Sequence, residues 1–317
     1  MKIVYSKHYD LKLGSFAKPH FFDAKKYSRA MRLIQHELGQ DTDKLVLSPS
    51  RPVSYQQLLT AHSQQYLQKL TKSSTVAQII EVSALKHVPN WLLDRTIMQP
   101  KRWGCAGTIL AAETAIKERD ICFNIAGGYH HAKPDNGEGF SVYSDIALAI
   151  SHIRRKGLID KNSSIAYIDL DVHLGNGVNY FYMHDESVKI FDMFNSQIYP
   201  MHDKTALCRV DFPVYLKTGC DDETYLRFLT NLLPQFLNNI GHIDFAIYNA
   251  GTDVLAGDPL GGLNISPSGV LERDLFVLDM LKQESIPAIV LSSGGYTKTS
   301  AELIAKTITS FFHKIPV

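Results

Sequence analysis

Two carboxylates and one imidazole in this 317-residue sequence have the chemistry and spacing of metal ligands. Asp171 and His173 are two positions apart, and in a strand that spacing puts both side chains on one face. Asp253 follows another apolar run and could supply a third ligand. Three protein ligands with a fourth position left to water are typical of a catalytic zinc site. The oxygen, nitrogen and oxygen set also suits iron or manganese, but it favours zinc.

A pair of adjacent histidines, His130 and His131, offers a base and an acid for proton transfer. Asp169 and Asn176 can accept hydrogen bonds from the remote ring nitrogens of such a pair and fix the orientation of each ring. A carboxylate raises the basicity of its histidine partner and a neutral amide does not, so the two imidazoles are predicted to differ. Tyr296 could donate its phenol to an oxyanion, a contribution of about 3 to 4 kcal/mol for a well-placed donor. Together these residues predict metal-assisted attack of water on an amide carbonyl.

Each of these signals has an ordinary structural explanation when it is taken alone. A histidine pair is more often on the surface or in a satisfied core than catalytic, and a tyrosine is more often a packed aromatic residue. Glycine pairs such as those at 127–128 and 294–295 also occur in plain strand-to-helix turns. Four separate apolar runs are nevertheless each followed by residues that a metal-dependent hydrolase needs. This coincidence favours the functional interpretation.

Short apolar runs rich in β-branched residues must position these side chains. Because the runs do not alternate with polar residues, they predict strands buried on both faces. The predicted strands span residues 121–126, 164–170, 188–193, 243–249 and 287–292. Segments with helical spacing span residues 24–38, 55–69, 104–117, 144–156, 222–239, 267–283 and 299–313.

The alternation of strands and helices predicts an α/β fold with an open, mostly parallel sheet and right-handed crossovers. Ligands bind beyond the carboxyl ends of the strands in such sheets, which is where the metal-ligand and histidine motifs lie. No internal repeat and no low-complexity linker divides the chain, so we expect residues 1–317 to form one domain.

The composition excludes several classes of function. The chain has 33 Lys and Arg against 32 Asp and Glu, so no overall charge draws it to nucleic acid or to an anionic membrane. Charges at positions 2, 7, 10 and 12 interrupt any signal peptide, and no run reaches the ~18 to 20 apolar residues that span a bilayer. We therefore expect a cytoplasmic protein that neither enters a membrane nor binds nucleic acid directly.

The ordered motifs resemble those of the zinc-dependent histone deacetylase family, from about residue 20 to residue 310. The matching segments are GGYHHA at 127–132, GF at 139–140, DLDVHLGNG at 169–177, AGTDVLAGDPLGGLNIS at 250–266 and SGGY at 293–296. Three further features are most similar to the class IV, histone deacetylase 11-like branch. These features are HFFDAKKYSRA at 20–30, VPNWLLDR at 88–95 and Asn rather than Asp at position 176.

The resemblance implies an arginase/deacetylase-like fold of about eight strands with helices on both faces of the sheet, and it assigns a role to each matching residue. The implied roles are zinc ligation by Asp171, His173 and Asp253; base and acid catalysis by His130 and His131, with His131 as the proton shuttle; support of that pair by Asp169 and Asn176; and polarisation of the carbonyl by Tyr296. A structural potassium ion is also implied, with ligands from Asp169, Asp192 and Met193 and from main-chain oxygens of Asp171 and His173.

Four residues match positions that surround the substrate in the family, and these are Gly139, Phe140, Tyr199 and Gly294. Phe140 and Tyr199 would form the two aromatic walls of a narrow tunnel. Two rings can enclose a neutral aliphatic stem while excluding a hydrated ammonium, so such a tunnel distinguishes acyl-lysine from lysine.

The expected activity is removal of an acetyl or longer acyl group from lysine side chains in proteins. A deacylase of small amines, such as an acetylpolyamine amidohydrolase, is the alternative with the same chemistry. An arginase-like ureohydrolase is less favoured, since its two metal ions need bridging carboxylates and Asn176 stands where a further acid would help. A binding module without turnover is the alternative from another class, but such a protein would be expected to lack a ligand, the histidine pair or the tyrosine.

Overall fold

The computed structural model of the chain describes residues 1–12 and 23–314. An eight-stranded, entirely parallel sheet lies at its centre, in the order β2-β1-β3-β8-β7-β4-β5-β6. The strands are β1 (Lys2–Val4), β2 (Val46–Leu47), β3 (Ile121–Asn124), β4 (Ile165–Asp169), β5 (Val188–Asn195), β6 (Phe212–Leu216), β7 (Phe245–Asn249) and β8 (Ala288–Leu291). This architecture confirms the predicted open α/β sheet.

Helices connect the strands. The α-helices are α1 (Lys26–Leu38), α2 (Asp41–Leu45), α3 (Tyr55–Leu58), α4 (Gln64–Lys69), α5 (Ser73–Ile79), α6 (Asn90–Leu93), α7 (Gln99–Glu118), α8 (Asp145–Arg155), α9 (Asn176–Phe181), α10 (Lys204–Leu207), α11 (Asp222–Ile240), α12 (Pro267–Gln283) and α13 (Ser300–Lys314). A 3₁₀ turn (Ser83–His87) and a π turn (Asp94–Met98) lie between α5 and α7.

Both faces of the sheet are buried. Successive side chains of a strand point to opposite faces, and each face packs into its own hydrophobic core. In β4, Ile168 packs into a core with α1, α11, α12 and α13. Its neighbour Tyr167 packs into a second core with α7 and α8. Because both faces are buried, side chains on both sides of these strands are apolar, and the sequence shows unbroken apolar runs.

The structure contains three strands that the sequence did not predict, and it divides one predicted helix into two. The strands β1 and β2 have only three and two residues, too few to show a pattern. The edge strand β6 contains Pro213 and exposes 53% of Tyr215, so it lacks the continuous apolar character of the central strands. The segment predicted as one helix over 55–69 is two helices, since the Ser63 side chain accepts a hydrogen bond from the Tyr66 amide and caps α4.

The central strands β3, β8, β7 and β4 are neighbours, and because they are parallel their carboxyl ends open at the same edge. The predicted metal ligands, the histidine pair and Tyr296 follow these four strand ends in the sequence. In the stretch that resembles the family at 20–30, residues 20–22 lie outside the described part of the chain. None of the helices in the described ranges is both long and apolar enough to cross a membrane.

Candidate active site

The loops after β4 and β7 bring the three predicted metal ligands together. One ligand atom from each of Asp171, His173 and Asp253 lies within 4.8 Å of the others, and all three residues are buried. His173 Nδ1 is 3.1 Å from Asp171 Oδ1 and 3.3 Å from Asp253 Oδ2. Within residues 1–12 and 23–314, Asp253 Oδ2 is a buried oxygen that receives no hydrogen bond. Two buried carboxylates, one of them with an orphaned oxygen, and a convergent imidazole fit a divalent cation.

Main-chain and side-chain donors hold the outer oxygens of the two carboxylates. Asp171 Oδ2 accepts hydrogen bonds from the Ser293 hydroxyl and the Gly294 amide, each 2.9 Å long. Asp253 Oδ1 accepts one from the Val172 amide at 3.0 Å. The remaining oxygens, Asp171 Oδ1 and Asp253 Oδ2, are therefore turned towards His173.

Gly294 lies so close to both carboxylates that no side chain fits there. A Cβ atom at this position would overlap Asp253 Oδ2 and lie 2.5 Å from Asp171 Oδ2. The glycine in the loop after β8 is thus a requirement of the ligand geometry.

The two adjacent imidazoles have different partners. His130 Nδ1 is 2.8 Å from Asp169 Oδ2, whereas His131 Nδ1 is 2.8 Å from the amide oxygen of Asn176. The ring centroids are 4.1 Å apart, and His130 Nε2 is 3.5 Å from Asp171 Oδ1. Both rings point into the crevice beside the metal-ligand group.

The surroundings move the two histidine pKa values in opposite directions. Burial lowers the pKa of His130, but the carboxylates of Asp169 and Asp171 outweigh it and raise the pKa to about 9. Burial, together with the neighbouring His130 and His173, lowers the pKa of His131 well below its ordinary value. Paired groups whose pKa values are driven apart in this way suit an acid and a base.

Tyr296 and Phe140 line the cavity that contains the histidine pair. Asp171, His130 and His131 also belong to its lining. The rings of Tyr296 and Phe140 meet edge to face with centroids 5.8 Å apart. Burial, Asp253 and Asp171 raise the pKa of Tyr296 well above its ordinary value, so its phenol keeps its proton and can donate it in a hydrogen bond.

The other two predicted substrate residues lie against His131. The Tyr199 ring centroid is 5.2 Å from that of His131, and 43% of Tyr199 is exposed. Gly139 has a φ of 51°, and a Cβ atom there would overlap the His131 ring. Gly139 therefore permits both the left-handed backbone and the close approach of the ring.

The site has a candidate metal-binding group beside two imidazoles, and comparisons with known proteins give the family of the chain. Residues 20–312 match the model of the histone deacetylase domain. The chain belongs to the histone deacetylase family. It is 39% identical over 308 residues to histone deacetylase 2 of Arabidopsis thaliana, an alignment that covers 97% of this chain and 78% of that protein.

A second relative and one solved structure are also similar to this chain. Type-1 histone deacetylase 1 of Dictyostelium discoideum is 31% identical over 196 residues, which are 59% of this chain and 37% of that protein. The crystal structure of the HDA15 HD domain superimposes with a TM-score of 0.73 at 19% identity and covers 99% of this chain and 90% of that chain. That superposition shows that the two share a fold.

Two carboxylates of the predicted potassium site are neighbours in the sheet. Asp169 and Asp192 are register partners on the neighbouring strands β4 and β5. Asp192 Oδ2 accepts a hydrogen bond from the Gly175 amide at 2.9 Å, while Asp192 Oδ1 is buried and has no hydrogen-bond partner among the described residues. Burial and then the adjacent Asp169 raise the pKa of Asp192 well above its ordinary value. Met193 follows in the same buried strand.

Sequence reasoning missed several residues that support the site. Tyr167 and Asn249 each donate a hydrogen bond to the Asp169 carboxylate, at 2.6 and 2.9 Å. Asn249 ends an apolar run, and a polar residue at that point is a signal that could have found it. Lys26 Nζ is buried and donates to the carbonyl oxygens of Ser293 and Gly294, at 2.8 and 3.2 Å. These residues are 267 and 268 positions away in sequence, so no local pattern could predict that contact.

Proposed function

We propose that this member of the histone deacetylase family is a zinc-dependent hydrolase that removes acetyl or longer acyl groups from lysine side chains in proteins. The observation that carries the proposal is the convergence, in one buried crevice, of the Asp171, His173 and Asp253 group with two imidazoles of unequal surroundings. Family membership supports acyl-lysine as the substrate class. The sequence features at 88–95 and at Asn176 support the finer assignment to the class IV, histone deacetylase 11-like branch.

Zinc is the proposed ion because two carboxylates and one imidazole form a ligand set typical of catalytic zinc. Zinc bound here would act as a Lewis acid that polarises the amide carbonyl and makes a water molecule easier to deprotonate. Asp171, His173 and Asp253 are the proposed ligands, and their buried, preorganised oxygens support that role.

His131 is the proposed general base and proton shuttle. Its Nδ1 is engaged by the Asn176 amide oxygen, so Nδ1 carries the proton and Nε2 keeps the lone pair that can accept a proton from water. The low pKa of the ring keeps that lone pair free at neutral pH. The same ring can then return the proton to the leaving amine.

His130 is proposed to act as a cation, since its Nδ1 lies 2.8 Å from the Asp169 carboxylate, whereas His131 meets a neutral amide. A positive charge beside the crevice would stabilise the negative charge that develops on the carbonyl oxygen. Tyr296 is proposed to donate its phenolic hydrogen to the same oxygen, and Phe140 and Tyr199 to enclose the methylene stem of the lysine. Gly139 and Gly294 are proposed to border the substrate, since both line the cavity with His131 and Tyr296.

We also propose that a potassium ion lies between Asp169 and Asp192. The orphaned Asp192 Oδ1 and the adjacency of Asp192 to a second buried carboxylate support this, because a buried carboxylate that lacks a charged partner is costly without a cation. Main-chain oxygens of Asp171, His173 and Met193 would complete the proposed ligand set.

A small acylated amine is the second candidate substrate, and the acids at the rim favour it. Glu138, Glu81 and Asp203 all lie near Tyr199, whose pKa burial and then these carboxylates raise. Lys133 forms ion pairs with Glu138 and Asp203, at 3.0 and 3.3 Å, whereas no lysine or arginine among the described residues forms an ion pair with Glu81. A negative rim attracts a substrate that keeps a second ammonium group, as acetylputrescine does.

Steady-state kinetics with the purified zinc protein test both candidates. The substrates are acetyl-, myristoyl- and trifluoroacetyl-lysine peptides beside acetylputrescine, each with wild type, His131→Ala and Glu81→Gln. A protein deacylase should turn over the peptides with higher kcat/KM, lose that turnover in His131→Ala and keep it in Glu81→Gln. Preference for acetylputrescine with a raised KM in Glu81→Gln would select the small-amine alternative. Absence of hydrolysis of every substrate by the zinc-loaded wild type would refute the proposed function.

A further inference from the structure

Two acidic side chains lie behind Asn176, on the side away from His131. The Asn176 side-chain nitrogen donates one hydrogen bond to Glu138 Oε1 at 2.6 Å and one to Asp203 Oδ2 at 3.1 Å. Its oxygen meets His131 Nδ1 at 2.8 Å. Asn176 is completely buried, so the two donated hydrogens and the oxygen all meet protein groups.

We propose that Glu138 and Asp203 are positioning residues for the reaction, which act through Asn176 to hold His131 in the tautomer that carries its proton on Nδ1. An amide can turn over and exchange its oxygen and nitrogen, and only one orientation lets it accept from a ring N–H. The turned-over amide would put its oxygen against two carboxylates, at 2.6 and 3.1 Å, and would aim its N–H₂ group at the ring. The acids exclude that orientation.

The acids are themselves held in place. Lys133 Nζ bridges them at 3.0 Å from Glu138 and 3.3 Å from Asp203, and it lies 4.6 Å from the centre of the Tyr180 ring. The Tyr180 hydroxyl and the Ala206 amide, at the start of α10, both donate to Asp203 Oδ1. Lys133 and Asp203 are 70 residues apart, so the arrangement joins the loop after the histidine pair to the loop after β5.

The arrangement also accounts for an amide at position 176. The resemblance noted in the sequence leads us to expect Asp at this position, and here a third carboxylate would stand 2.6 and 3.1 Å from two existing ones. Like charges at that distance cannot all remain ionised and unpaired. In this chain the negative charges are on Glu138 and Asp203, which contact Asn176 and not the imidazole. The neutral Asn176 amide lies between them and His131, and its fixed orientation determines which ring nitrogen of His131 carries the proton.

A cycle of variants tests the inference, which rests on the proposed hydrolase function. The substitution Asn176→Asp installs a carboxylate beside Glu138 and Asp203, and in the wild-type background we expect it to lower kcat by about tenfold or more with little change in KM. In a background that also carries Glu138→Gln and Asp203→Asn, the new carboxylate meets amide donors in place of carboxylates. There we expect Asn176→Asp to raise kcat relative to the background, a gain that misfolding cannot produce. An equal loss of kcat in both backgrounds would overturn the proposal.

The tautomer of His131 provides a readout that does not depend on turnover. In protein labelled with ¹⁵N-histidine, the two ring nitrogens give separate signals, and those of His131 are identified by their absence in His131→Asn. We expect the wild type to carry the proton on Nδ1, and the Glu138→Ala, Asp203→Ala double variant to show a second tautomer. The control is Glu186→Gln, an exposed acid on the loop before β5, which should leave both the tautomer and kcat unchanged.

The two failures are distinguishable. If the zinc-loaded wild type hydrolyses no acylated amine, the proposed function fails, while the tautomer experiment still decides whether the acids orient Asn176. If the double Ala variant keeps the single wild-type tautomer, the positioning role is wrong even in an active hydrolase. Thermal unfolding of each variant shows that the compared proteins are folded.

Discussion

His62 gives the structure a pH dependence that can be calculated from its contacts. The residue is 2% exposed and lies among the rings of Tyr66, Tyr143 and Phe181. Its Nδ1 lies 3.0 Å from the carbonyl oxygen of Lys133, and its Nε2 accepts from the Ser144 amide at 3.0 Å. A proton on Nε2 would face that amide N–H, so only the neutral ring fits. Burial lowers the pKa of His62 to about 4.

The sign of the effect follows from the two pKa values. The unfolded chain has a histidine pKa of about 6.5, so between pH 6.5 and about 4 the unfolded state binds a proton that the folded state does not. The stabilising contribution of the neutral ring is therefore present above pH 6.5 and is lost as the pH falls. From pH 7.5 to pH 5 the free energy of unfolding should decrease by about 2 kcal/mol through this residue.

Urea unfolding at pH 7.5 and pH 5, followed by circular dichroism, measures this loss in wild type and in His62→Gln. Glutamine has a donor and an acceptor but cannot be protonated, so the pH-dependent loss should be about 2 kcal/mol smaller in the variant. Zinc release at pH 5 affects both proteins alike and cancels in the comparison. The matched control is His87→Gln, at an exposed histidine, which should keep the wild-type dependence. Equal pH dependence in wild type and His62→Gln would refute the assignment of a buried neutral ring.

Three further predictions concern the active site. Gly294→Ala should weaken zinc binding about 10- to 100-fold in a chelator competition, since its methyl group displaces two ligand carboxylates; wild-type affinity would contradict this packing. His131→Ala should lower kcat about 10²- to 10⁴-fold while the zinc content stays at the wild-type value, and loss of zinc with activity would instead assign His131 to the metal. Potassium should raise the melting temperature of wild type more than sodium does, and Asp192→Asn should abolish the difference because it removes the negative charge of the carboxylate that has the orphaned oxygen; an equal response to both ions would remove the potassium site from the proposal.

The central sheet could be predicted from the sequence because its strands are buried on both faces. The apolar runs at 165–169 and 245–249 have no polar alternation to disguise them, and both became central strands. The strands β1 and β2 carry too few residues to show a pattern, and the edge strand β6 is half exposed. The capping contact of Ser63 that divides the helix at 55–69 is local, and a Ser before Gln-Gln-Tyr is a signal that could have found it.

The placement of the site was predictable to the extent that it depends on strand ends. Asp171 and His173 share one face after β4, and the parallel neighbour β7 delivers Asp253 to the same edge. The catalytic roles of these residues and of the histidine pair stay predictions. Contacts such as Lys26 with the loop after β8, and Asn176 with Asp203, join segments from different loops or distant parts of the chain, and no periodicity or motif encodes them.

The most direct test is the zinc content and activity of purified protein, measured together for wild type and Asp253→Ala. We expect about one zinc per wild-type chain, with activity that is lost on chelation and recovered when zinc is added. We expect the Asp253→Ala variant to keep its circular dichroism spectrum and to lose both metal and turnover. Wild-type protein that hydrolyses its substrate undiminished after complete removal of metal would contradict this expectation.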